Sequence, residues 1–176
     1  MKFYPRIIAI IPILSLLINC TKPQKQIQKI KKNGNPIIAD VGMADPHIKI
    51  YNNKAYLYAT RDEDKSTKKF IMPDWRIWSS DDLVNWKLET IIDPTETYMW
   101  ASKKCWAPDV GYKNGNYFFY FSNGNTDTGV MIGKTPIEPF KDALGKPMLP
   151  EDLTQIKEYD PAILIEENEE KTAYVA

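Results

Sequence analysis

The sequence predicts an all-β protein assembled from β-propeller blades. Three observations predict it: a repeated pattern of proline, strand, tight turn and strand; further short strands that complete units of four; and no extended amphipathic helix after the N-terminal stretch. Three segments align. Ala44 to Ile48 is followed by Asn52-Asn53 and Ala55 to Tyr58, Ala107 to Val110 by Asn114-Gly115-Asn116 and Tyr117 to Tyr120, and Asp160 to Ile163 by Glu167-Asn168 and Thr172 to Val175. Their prolines, Pro46, Pro108 and Pro161, lie 62 and then 53 positions apart, which suits four short strands better than a helical repeat. From pattern alone a β-sandwich remains the alternative architecture.

The chain has 176 residues, 43% of them hydrophobic and 26% charged, enough for one ordinary domain and too apolar for disorder. Its 23 basic and 23 acidic residues cancel, so no cationic excess exists to neutralise a phosphate backbone, and no nucleic-acid partner is expected.

The first element is not part of the domain. Seven basic residues and no acidic one occur up to Lys32, around the apolar run Ile7 to Ile18. Twelve residues are too few to cross a bilayer core, which needs about 20; a basic start, a short apolar run and then Cys20 is the layout of an export signal. Residues 1–19 are expected to be a lipoprotein signal peptide, Cys20 the lipidated residue, and 20–34 a lysine-rich tether holding the domain to a bacterial envelope membrane. Cys105 then has no disulfide partner and is expected to be a small buried residue or an unpaired thiol.

Residues 35–176 carry the repeat. In the first unit Trp75 to Ser80 and Trp86 to Ile91 supply the third and fourth strands, joined by the turn Asp81 to Asn85. In the second unit Gly129 to Thr135 and the proline-interrupted Pro136 to Phe140 do so. Glu151 to Lys157 is the one candidate for a short helix. The segment from Ser79 to Trp86 reads as an outer hairpin closure, and Asp62, Glu63 and Asp64 as a solvated turn without the spacing of a calcium loop.

Function enters through Asp45 and Asp160, which share one repeat position before proline. A residue before proline is expected to be extended, and the first strand of a blade lies nearest the axis, so both carboxylates are directed at the channel mouth. Asp109 is expected to satisfy local backbone donors. No phosphate loop, zinc cluster or Ser-His-Asp arrangement is present, and neither a metal nor another cofactor is expected.

The motifs Asn35-Pro36-Ile37, Ala44 to Ile48, Ser80 to Trp86, Cys105 to Val110, Tyr117 to Ser122, Pro136 to Phe140 and Tyr159 to Ile163 together resemble, in this order, the N-terminal half of glycoside hydrolase family 43. The resemblance implies a five-bladed β-propeller and inverting hydrolysis of xylan- or arabinan-type plant polysaccharides. It assigns Asp45 as general base, Asp160 as the carboxylate that orients the sugar and tunes the acid, and Trp106 as the sugar platform. His47, beside the base, could touch sugar or simply pack.

The residue types suit that chemistry. An inverting enzyme needs a base for water and an acid for the leaving oxygen, with the two carboxyls roughly 6.5–9.5 Å apart. A third carboxylate near the acid keeps it protonated. Five blades of roughly 50 residues need about 250, so the chain is expected to hold about two and a half blades and to be inactive as given. The family's acid is a Glu from a later blade, and Glu166, Glu167, Glu169 and Glu170 sit on a hairpin turn away from the mouth. Two other readings stay open: a non-catalytic surface glycan-binding lipoprotein, and a gene remnant.

Overall fold

The computed structural model describes residues 36–39, 41–63, 71–97, 104–137, 139–166 and 173–176. The signal and tether expectations, Cys20 among them, lie outside the described residues, as do Asn35, Asp64, Glu167, Glu169 and Glu170.

Strands β1 (Met43–Tyr51), β2 (Lys54–Arg61), β3 (Trp75–Ser80) and β4 (Lys87–Ile92) form one antiparallel sheet in chain order. A single helical turn α1 (Pro94–Thr97) follows, capped by the Asp93 carboxylate, which accepts from Thr95 N at 2.8 Å. Strands β5 (Cys105–Lys113), β6 (Asn116–Asn123), β7 (Asp127–Gly133) and β8 (Lys141–Asp142) form the second four-stranded sheet, and β9 (Ile163–Ile165) pairs with β10 (Ala173–Val175). These are two blades and the two inner strands of a third.

The repeat is metrical. Adding 62 to the limits of β1 and β2 returns those of β5 and β6. The innermost strands of the two complete blades also carry a bulge at their prolines: between Ala44 and His47, and between Trp106 and Asp109, one strand advances three residues while its partner advances two. Proline fits there because a bulge leaves the ladder locally unpaired, so its missing N–H is not needed.

The bulge corrects one expectation. The residues before proline are not extended; Asp45, Ala107 and Asp160 have φ of 49°, 48° and 58°. At Asp45 and Ala107 the bulge demands a left-handed residue, and this outweighs the proline's local preference; Asp160 adopts the same conformation before Pro161. Aspartate tolerates that region better than most residues, whereas alanine gains nothing from it.

The core fills the space between the two blades. Trp75, Tyr58 and Ile77 from the first blade meet Phe119, Phe121 and Met131 from the second, all essentially buried. Trp75 lies 4.7 Å from Phe121 and 5.1 Å from Phe119 between ring centroids, tilted as aromatic quadrupoles prefer. Gly129 is required by this packing, since a Cβ there would stand 2.3 Å from Phe121 Cζ. Cys105 is buried, with its thiol 3.6 Å from Asn123 Oδ1.

Two further expectations change. Glu151 to Lys157 is an exposed succession of turns: Leu153 and Ile156 find no face to pack on, and the Thr154 hydroxyl engages the Ile156 carbonyl, in place of a helix too short to nucleate. The last strand of the second blade is Lys141–Asp142 rather than Pro136 to Phe140, where two prolines remove ladder donors. The outer turn is structural as expected. Asp82 accepts from the backbone N–H groups of Val84 and Asn85, which holds its carboxyl well below the usual range.

Candidate active site

The inner strands β1, β5 and β9 converge, and side chains of β1 stitch them together. His47, Lys49 and Tyr51 alternate along β1 and therefore share one face. His47 Nδ1 lies 3.2 Å from the Pro108 carbonyl, and the Tyr51 hydroxyl donates to the Val110 carbonyl at 2.9 Å. Lys49 Nζ donates to Asp109 Oδ2 at 2.9 Å and to the Ile163 carbonyl at 3.0 Å.

Asp109 does more than satisfy its own backbone. Its Oδ1 accepts from Val110 N at 2.8 Å, the local bond expected, but Oδ2 also accepts from Ile163 N at 2.7 Å, 54 positions away. A carboxylate with 1% exposure needs such partners, because an unpaired buried charge is strongly unfavourable.

At the bulged ends of the inner strands lies a cleft of about 320 Å³. Asp45, Trp106 and Asp160 all line it, one from each blade. Trp106 is half-buried and packs against the core. The Thr60 hydroxyl, nearly buried, accepts from Ala107 N at 3.1 Å and so ties the tryptophan's neighbour to the first blade. Asp160 is exposed as a residue, yet partial shielding of its carboxyl, and secondarily the negative charge of Asp45, raise its pKa above the ordinary carboxylate value. The charge of Asp45 thus bears on Asp160 across the cleft that both line.

His47 does not line this cleft; its ring is directed at the second blade's backbone. Glu166 lines a different groove, of about 510 Å³, at the opposite ends of the inner strands with Tyr51 and Tyr112. Among the described residues no three His, Cys, Asp or Glu side chains converge as metal ligands.

Sequence reasoning missed Arg61, Asp62 and Asn125, which also line the cleft. Asp62 is a wall residue rather than part of a merely solvated turn. Arg61 is neutralised in place by Asp74 at 3.0 Å and Glu63 at 2.9 Å. The signal was available: in an antiparallel hairpin the exit of the second strand lies beside the entry of the first, so residues just after β2 and β6 must flank Asp45 and Trp106.

The family profile described as glycosyl hydrolases family 43 matches residues 33–176. An arabinoxylan arabinofuranohydrolase of Paenibacillus polymyxa is 28% identical over 177 residues, covering 86% of this chain and 28% of that protein. Among solved structures, an α-L-arabinofuranosidase from Clostridium thermocellum superposes with a TM-score of 0.62 at 30% identity, over 75% of this chain and 46% of that one. A Bacillus subtilis arabinoxylan arabinofuranohydrolase of family 43, solved with cellotetraose, gives 0.68 at 27% identity, over 81% and 34%. The chain spans 28% to 47% of the length of the curated relatives it matches.

Proposed function

The chain belongs to glycosyl hydrolase family 43, and from that membership and the cleft we propose that it forms the base-bearing side of an inverting glycosidase site for xylan- or arabinan-type polysaccharides. The observation that carries the reading is the convergence of Asp45, Trp106 and Asp160, from three different blades, on one cleft.

In this reading Asp45 removes a proton from the water that attacks the anomeric carbon, while a carboxylic acid opposite gives a proton to the departing oxygen. Asp160 contributes a negative charge beside the reaction centre, which raises the pKa of a neighbouring acid and so keeps it protonated. The Trp106 indole, which lines the cleft, offers the sugar a flat apolar platform. The cleft's carboxylates among the described residues are Asp45, Asp62 and Asp160, and the family resemblance implies that the acid is a glutamic acid of a later blade. Residues 1–19 act as an export signal, and lipid on Cys20 holds the domain at the envelope through the 20–34 tether.

In any form of the protein that turns over arabinoxylan, Asp45→Asn is expected to slow pentose release by about 10²–10⁴-fold, the usual contribution of a general base. Binding of xylotriose, followed by tryptophan fluorescence, is expected to persist. Unimpaired turnover would remove Asp45 from the base role. Cys20→Ser is expected to move the protein from the membrane pellet to the soluble fraction, and unchanged pelleting would remove the anchor.

A further inference from the structure

We propose that Lys49 and Asp109 are positioning residues that set the separation of the cleft aspartates Asp45 and Asp160, with Gly111 providing the close approach they require. The proposal rests on the reading of those two aspartates as a working pair.

Ala162 and Ala176 exchange both their backbone hydrogen bonds, at 2.9 and 3.0 Å. Such pairs alternate along an antiparallel ladder with pairs whose polar groups point outward. Ile163, which pairs with Val175, therefore turns its N–H and C=O away from β10. A free strand edge buried against two other blades would leave both groups unsatisfied. Asp109 of the second blade accepts from the N–H at 2.7 Å, and Lys49 of the first donates to the C=O at 3.0 Å. The two side chains close the triangle with their own 2.9 Å ion pair.

Position makes this more than a generic staple. Lys49 follows Asp45 by four residues on β1, and Ile163 follows Asp160 by three at the start of β9. The pair therefore links β1, which carries Asp45, to the start of β9, into which Asp160 leads, and does so beside the groove at the far ends of these strands. His47 and Tyr51 reach carbonyls of the second blade, whereas Lys49 reaches one of the third. Gly111 stands at the repeat position of Lys49, and a Cβ there would lie 2.8 Å from Ile163 Cγ2, so β9 sits as close as it does because that side chain is absent.

The test reads the coupling between the aspartates rather than hydrolysis, so its failure is separable from failure of the enzymatic assignment. Carboxyl carbon NMR titration of the 176-residue chain gives the Asp160 midpoint with Asp45 present and with Asp45→Asn; Arg61 and Asp62, which line the same cleft, are left unchanged. The measurement is repeated in Lys49→Met, which leaves the buried Asp109 carboxylate without its cation, and in Gly111→Ala, which moves β9 without altering any charge and so keeps the test available if the first variant is too unstable to titrate. In both backgrounds the response of Asp160 to Asp45→Asn is expected to shrink by at least half, and Lys49→Arg is expected to restore it. A full response in both variants, whatever their melting temperatures, would reduce the triad to a structural contact and overturn the proposal.

Discussion

The first and second blades share a backbone and differ in what they mount on it. Their inner hairpins have the same lengths, the same bulge and the same left-handed residue before proline. At matching positions the first blade carries Asp45, His47 and Lys49 where the second carries Ala107, Asp109 and Gly111. The shared parts make a propeller mouth. The differing parts divide the labour: the first blade presents a carboxylate and reaches outward, while the second withdraws a side chain at Ala107, presents Trp106 and receives the contacts. A left-handed residue before proline recurs in all three blades whatever its side chain and is thus a geometric requirement of the fold, whereas a carboxylate on two of the three is a chemical choice.

That comparison breaks most severely at the shared core. Phe119→Ala would remove the ring that touches Trp75 and Tyr58 of the first blade and Phe140 of its own. It is expected to destabilise the fold by about 3–5 kcal/mol, read from thermal unfolding by circular dichroism; a loss below 1 kcal/mol would mean the blades do not pack as described.

A smaller effect is expected at the seam. Thr60→Val keeps the shape but leaves the buried Ala107 N–H without its acceptor, a loss of about 1–3 kcal/mol. If no destabilisation follows, the hydroxyl is not what holds the Trp106 neighbourhood to the first blade.

The smallest effect sharpens the distinction between the two bulges. Ala107→Gly relieves a left-handed alanine, a strain of roughly 1–2 kcal/mol, partly offset by glycine's greater freedom when unfolded. A net gain of up to about 1 kcal/mol is expected in the same unfolding measurement, and a clear loss would show that the alanine is unstrained.

Much of this was legible in the chain itself. The Pro46, Pro108 and Pro161 repeat predicted four-stranded units, the strand order and the equivalence of Asp45 with Asp160, because proline, paired turn residues and alternating apolar strands are local signals. The left-handed residues were not legible, since the proline rule describes an isolated dipeptide while the bulge is a property of two paired strands. Nor was the reach of Asp109 to Ile163, which exists only because an inner strand's outward groups meet a neighbouring blade. Glu151 to Lys157 had helical composition but no partner face, and tertiary packing decides most short helices.

The first and third blades meet electrostatically at the cleft, where the Asp45 charge adds to the raised pKa of Asp160. With its pKa raised in the native state, Asp160 binds its proton more tightly folded than unfolded. Its contribution to stability is therefore present below the ordinary carboxylate pKa and is lost as pH rises through the raised value. Titrating Asp160 by carboxyl carbon NMR in the unaltered chain and in Asp45→Asn isolates the part due to Asp45. The account predicts a raised midpoint that falls when Asp45 is neutralised, keeping only the elevation due to shielding. An Asp160 midpoint that does not respond to Asp45 would contradict it.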